Sequence, residues 1–252
     1  MRTAIVVTTL LLGLAACQPS NKEEKSIDGQ EKVVTEQERS LSSILDEKKQ
    51  RFLQRADSAK IIDYDAGLKA VEETGILRSA LNVGDTAKDF ELTDQNGTKV
   101  SLHQLLEEGP VVLTWYRGGW CPYCNITLAY LQEKLPEFEA VGAHLVAISP
   151  ELPDSSLSTI EKNQLSFTVL SDMGNAVARQ YGVVFKLTYA VAQRYQNGFD
   201  LNAYNGDKSD ELPLAATYVI DVGGVIQYAF LDVDYRNRAE PNDILNALEA
   251  LN

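Results

Sequence analysis

Tyr116-Arg117-Gly118-Gly119-Trp120-Cys121-Pro122-Tyr123-Cys124-Asn125 is the stretch on which the reading of this chain turns. The run before it, Val111 to Tyr116, is apolar and has the length of a buried strand. Pro122 favours the first turn of a helix, so one should begin there. Cys121 then falls at the helix N-terminus, where unpaired N–H groups and the macrodipole stabilise a thiolate. Arg117 adds a positive charge that favours the same ionised form, so the spacing predicts a lowered Cys121 pKa. Cys124 lies one helical turn on, within reach of an oxidised Cys121. Gly118 and Gly119 let the backbone bend tightly and keep side chains away from the sulfur. The segment reads as a redox dithiol at a strand-to-helix junction.

Alternating elements surround that junction. Asn96-Gly97 sits between Asp89–Leu92 and Lys99–Leu102, a hairpin signal. His144–Ser149 reads as a strand. Residues 154–164 read as a helix capped by Asp154, and 167–170 as a short strand. Asn175–Tyr181 reads as a helix stopped by Gly182. Ala216–Asp221 and Val225–Phe230 are strands joined at Gly223-Gly224, with Asp221 a turn residue. Pro241 opens a last helix through Leu251. The pattern predicts a mixed sheet with helices on both faces. Residues 183–212 show no clear periodicity beyond a helix at 188–196, and Tyr181, Tyr189 and Tyr195 scatter around them. They read as an insertion that shapes access to the cysteines.

The N-terminus reads as an address. Arg2 precedes an apolar run from Ala4 to Ala16, too short for a permanent span and the length of a secretory core. It ends in Leu14-Ala15-Ala16-Cys17, which resembles the bacterial lipobox. The alternative is an ordinary signal peptide with Cys17 incidental. On the first reading residues 1–16 are removed, Cys17 carries lipid, and the product is an exported lipoprotein of the cell envelope held at a membrane. Residues 18–40 are a polar tether. From 41 to 80 apolar residues fall at helical spacings, with Gly67 and Gly75 as helix ends. This part reads either as an arm packed on the domain or as a solvated spacer.

Composition bounds the rest. Of 252 residues, 44% are hydrophobic and 23% charged, ordinary for a globular protein. The net charge of −13 argues against nucleic acid as a partner. Nearly all of it, −12, resides in residues 83–252, with 11 Lys/Arg against 23 Asp/Glu. Beyond Cys121 and Cys124, only Cys17, His103 and His144 are soft ligands, which speaks against a zinc site. A structural disulfide gains little from a four-residue loop. Gly118-Gly119 lacks the features of a phosphate loop, and no cofactor is implied.

Residues 83–252 resemble the alkyl hydroperoxide reductase / thiol-specific antioxidant family, the peroxiredoxins. The matching stretches are Val83–Phe90, the Asn96-Gly97 hairpin, Val111–Tyr116, the Cys121–Cys124 segment, Val146–Pro150 and Ala216–Asp221. The resemblance implies a thioredoxin-like α/β/α domain at 83–252, behind a signal at 1–16 and an extension at 17–82. It implies a peroxidatic Cys121, oxidised by hydrogen peroxide or an organic hydroperoxide to a sulfenic acid. Cys124 condenses with it, and a thioredoxin-like protein reduces the disulfide. A typical member has proline seven residues before the peroxidatic cysteine and threonine or serine three before; here those positions hold Thr114 and Gly118. Many members carry an arginine before the late strand, where thioredoxins carry a cis-proline; here Ala215 stands there, with Pro213 two residues earlier. Arg117 and Arg238 are the candidates for the missing charge, and Trp120 for a wall of the site. The rival readings are a membrane-anchored thiol–disulfide oxidoreductase using the same pair, and a non-catalytic binding lipoprotein.

Overall fold

The computed structural model describes residues 39–94 and 96–251. The signal segment 1–16, Cys17 and the tether to residue 38 lie outside the described residues. The first described elements are helices α1 (Leu41–Arg55), α2 (Ser58–Glu73) and α3 (Ile76–Ser79). A hairpin follows, β1 (Glu91–Asp94) and β2 (Lys99–Ser101), with Asp94 Oδ1 accepting the N–H groups of Asn96 and Thr98 to fix the turn. Next come α4 (Leu102–Glu108), β3 (Val111–Trp115), α5 (Pro122–Ala140), β4 (His144–Ser149), α6 (Pro153–Asn163), β5 (Thr168–Ser171) and α7 (Ala176–Gln180). Then β6 (Val184–Lys186) and β7 (Glu211–Pro213) pair around α8 (Tyr189–Phe199) and α9 (Leu201–Asn205). The chain closes with β8 (Ala215–Ile220), β9 (Ile226–Asp232) and α10 (Pro241–Glu249).

Seven strands form one sheet in the order β2-β1-β5-β4-β3-β8-β9. β3, β4 and β5 run parallel, while β8, β9, β1 and β2 add antiparallel flanks. β3 lies inside the sheet between β4 and β8 and is fully buried, which is why it reads as a continuous apolar run rather than an alternating one. Its side chains still divide between two cores. Val112 joins Ala147, Val169 and Val219 beneath α5, α10 and α1. Leu113 and Trp115 join Val146, Ile148 and Tyr218 against α3, α4 and α7. The result is the expected three-layer α/β/α arrangement around a mixed sheet. The one polar side chain on β3, Thr114, shares a 2.9 Å hydrogen bond with Thr217 across the sheet.

The segment after residue 40 is an arm and not a spacer. Leu41 and Leu45 are buried in the core under α5 and α10, and Glu240 accepts the N–H groups of Leu41 (3.2 Å) and Ser42 (2.6 Å). α2 packs on α8, and Arg194 of α8 pairs with Asp63 of α2 at 2.6 Å. Gly67, expected as a helix end, lies inside α2. Its missing Cβ lets α2 close on Val191, which such a carbon would meet at 2.9 Å. Asp154, expected as the cap of α6, sits inside its first turn instead. Leu152 holds the cap position and Pro153 opens the helix, because proline's fixed φ is set for the first helical residue, where its missing N–H costs nothing.

Candidate active site

The parallel strands β3 and β4 end side by side, and the chain leaving each carries the polar groups of one crevice, the usual place for a site in an open α/β sheet. From β3 the chain passes through Tyr116–Trp120 into α5. Cys121 is the N-cap of α5: its N–H donates to Gly118 O at 3.0 Å, and its Sγ accepts the Cys124 N–H at 3.4 Å. Pro122 follows as the first helical residue. Gly118 has φ +145°, and a Cβ there would strike Trp120 Nε1; at Gly119 it would strike Thr159 Oγ1. Both glycines are needed because Trp120 and Thr159, not the sulfurs, fill the space beside them.

Both thiols are free and sealed from solvent, with residue exposures of 1% for Cys121 and 0% for Cys124. Arg238, 114 residues further along the chain, brings its Nη2 to 3.2 Å from Cys124 Sγ. The other terminal nitrogen, Nη1, is held by the carbonyls of Tyr235 and Asn237, so the guanidinium is fixed in its aim. The electrostatics of the pair follow. Burial opposes ionisation of Cys124, but the Cys121 thiol, Arg238, Arg117 and the Arg117 backbone N–H outweigh it and bring Cys124 down to about 5. Burial and the proton it shares with Cys124 push Cys121 well above the ordinary thiol value, and the two arginines only partly offset this. The lowering expected for Cys121 is therefore found on its partner. Its causes are the neighbouring Cys121 thiol and then Arg238, a contact that no spacing in the sequence announces.

Arg117 is buried as well (1% exposed) and has no carboxylate partner among the described residues. Its Nη2 donates to Tyr195 Oη at 2.7 Å, and its Nε and Nη1 have no partner among the described residues. The guanidinium stands 3.9 Å from the centre of the Tyr235 ring, 5.0 Å from Trp120 and 5.3 Å from Tyr195, an aromatic box that favours a cation. Burial works against the charge, but Tyr195, the thiols and Tyr235 hold its pKa above the ordinary guanidinium value. Trp120 itself stacks on Phe199 at 4.5 Å. The segment read as an insertion thus supplies Tyr195 and Phe199 as one wall of the site.

On the other side lies Glu151, two residues beyond β4 and fully buried. Its Oε1 accepts the Gly119 N–H at 2.8 Å, and Thr159 Oγ1 lies 3.4 Å from Oε2. Burial raises its pKa to about 7, against the stabilising Gly119 N–H and Tyr116 hydroxyl, and the charge on Cys124 adds to the rise. The loop is clamped again where Asn125 Nδ2 donates to Gly119 O at 2.8 Å.

The structure thus gathers Cys121, Cys124, Arg117, Trp120 and Arg238 around one point; Cys17 lies outside the described residues. Sequence reasoning missed Glu151, Thr159 and Tyr235. Glu151 was signalled by its place just past a parallel strand's carboxyl end, whereas Tyr235 carried no signal. Among the described residues no three His, Cys, Asp or Glu side chains converge as metal ligands.

Residues 83–229 match the AhpC/TSA family. A chloroplastic peroxiredoxin Q of Triticum aestivum is 28% identical over 187 residues, 74% of either chain. A putative peroxiredoxin of Mycobacterium tuberculosis is 37% identical over 103 residues, 41% of this chain and 67% of that one. Among solved structures, peroxidoxin BcpB of Mycobacterium tuberculosis superposes with a TM-score of 0.54 at 27% identity, over 68% of this chain and 99% of its own. Peroxiredoxin Q of Xanthomonas campestris shares the fold, with a TM-score of 0.50 at 20% identity over 64% and 90%.

Proposed function

Since the chain belongs to the AhpC/TSA family and is a thiol-dependent peroxidase, we propose that it reduces hydrogen peroxide or organic hydroperoxides through the Cys121–Cys124 pair. One thiolate attacks the peroxide. A sulfur–oxygen bond forms, the oxygen–oxygen bond breaks, and the departing oxygen takes a proton to leave as water or an alcohol. The other thiol displaces hydroxide from the sulfenic acid, giving water and the Cys121–Cys124 disulfide. A thioredoxin-like dithiol returns the pair to two thiols and is itself oxidised.

The observation that carries this reading is the cation and thiolate buried together: Arg238 Nη2 lies 3.2 Å from Cys124 Sγ, with Arg117 boxed beside the same pair. The arrangement provides a nucleophile at neutral pH and fixed positive charge for the oxyanion that leaves. Two N–H-bearing nitrogens of Arg117 have no partner among the described residues, which suits it to that second role. The test is peroxide consumption by the reduced full-length chain, with thioredoxin, its reductase and NADPH supplying electrons. Turnover lost on removal of either cysteine is expected. A wild-type reaction no faster than that of free cysteine overturns the reading.

We also propose that the mature protein begins at Cys17 and carries lipid there, on the strength of Leu14-Ala15-Ala16-Cys17 after a short apolar run. Metabolic labelling with a fatty acid should mark the wild type and leave Cys17→Ser unmarked. Equal labelling of the two refutes it.

A further inference from the structure

We propose that Cys124 is the thiol that attacks the peroxide and Cys121 the one that resolves it, the reverse of the order read from the sequence. The inference rests on the peroxidase reading and adds the identity of the nucleophile.

Three observations carry it. First, the fixed cation serves one sulfur. Arg238 Nη2 is bonded to Cys124 Sγ at 3.2 Å, and its Nη1 is occupied by two backbone carbonyls. Among the described residues no guanidinium is bonded to Cys121. Second, the two sulfurs have different hydrogen-bond partners. Cys124 Sγ receives the charged guanidinium of Arg238, whereas Cys121 Sγ accepts the neutral backbone N–H of Cys124 at 3.4 Å. Third, the protonated partner is already in place. Burial favours the protonated form of Cys121, and as the N-cap of the helix that carries Cys124 it stands one turn from the neighbouring sulfur, a stance suited to the second step. The lowered pKa of Cys124 agrees with this placement.

The steps then balance as follows. The Cys124 thiolate takes the terminal oxygen of ROOH, and RO⁻ leaves with the electron pair and is protonated to ROH. Cys121 then loses its proton and attacks the Cys124 sulfenic sulfur, and the departing hydroxide takes up a proton as water. The thioredoxin-like dithiol reverses the disulfide.

The experiment uses full-length wild type, Cys121→Ser and Cys124→Ser, each reduced, mixed with hydrogen peroxide or tert-butyl hydroperoxide at pH 7 in the presence of dimedone. Cys121→Ser should consume one equivalent per chain and stop, with dimedone on Cys124. Cys124→Ser should react like an ordinary thiol, which is only a few per cent ionised at pH 7, and so at least about thirtyfold slower. Fast reaction of Cys124→Ser with dimedone on Cys121 overturns the assignment. A measurement on the wild type alone guards against a variant that does not fold: limiting iodoacetamide at pH 6 should alkylate Cys124 first, and alkylation of Cys121 first overturns the proposal. If the wild type reduces peroxide no faster than free cysteine, the peroxidase reading falls, and the alkylation order still judges where the thiolate sits.

Discussion

Replacing Arg238 with methionine keeps most of the side chain's bulk and removes the guanidinium bonded to Cys124 Sγ. A hydrogen bond to a charged partner contributes about 1.5–3 kcal/mol, which is roughly one to two pH units. Cys124, at about 5 in the wild type, should therefore titrate near pH 6–7 in the variant. At pH 6 its ionised fraction should fall from about nine-tenths to about a quarter, taking the middle of that range. The thiolate absorbs in the ultraviolet more strongly than the thiol, so a pH titration of the reduced protein follows the ionised fraction directly. The rate of iodoacetamide alkylation gives a second measure. Arg236→Met is the control: that arginine is also buried, but it is paired with Asp234 at 2.6 Å and its loss should leave the titration unmoved. A midpoint shifted by less than half of one unit in Arg238→Met, or an equal shift in the control, would refute the account of what holds the thiolate.

The remaining predictions concern the frame of the site. Glu151 titrates near 7 in the fold against an ordinary 4.5, so the folded state binds this proton more tightly than the unfolded chain does. Stability from this group is full below pH 4.5, declines as pH rises to about 7, and is then lower by about 3 kcal/mol. Glu151→Gln should remove that decline, and a wild-type-minus-variant difference in urea unfolding that stays flat from pH 4.5 to 8 refutes the claim. Gly119→Ala should cost about 1–3 kcal/mol through overlap with Thr159. Adding Thr159→Ala should restore part of the loss in thermal unfolding, and no recovery would sink the steric explanation. Leu45→Ala, at a site 2% exposed in the core under α5, should lower the free energy of opening the arm by about 2–5 kcal/mol, read from hydrogen exchange of the α1 amides; a loss below about half a kcal/mol would mean that Leu45 does not anchor the arm.

What the sequence discloses here is local, and what it hides is remote. The Asn96-Gly97 turn, the β3 run and the proline that opens α5 each carry their cause within a few residues, and each stands where it was expected. The arm showed its helices but not its docking, because Leu41 and Leu45 look alike whether they face solvent or α10. Gly67 misled for a related reason: a glycine that ends a helix and one that admits a neighbouring helix read identically until Val191 is in view. Arg238 was visible only as a candidate, since nothing in a linear string says that residue 238 meets residue 124. The sequence points the charge at Cys121 because the helix N-terminus and the neighbouring residues are the only influences it displays. The partner thiol and the distant arginine favour Cys124.

The arm contributes no sulfur and no cation, yet a chain of contacts leads from it to the site: Asp63 to Arg194, Gly67 against Val191, then Tyr195 Oη to Arg117. Its own hold on the sheet is slight. α1 buries two residues fully and α2 only one, while every residue of β3 is buried. Segments with so few buried contacts open well before the whole molecule does. On warming, then, the enzyme would lose its chemistry while its sheet is still intact, and the temperature at which it fails would be a property of its first two helices.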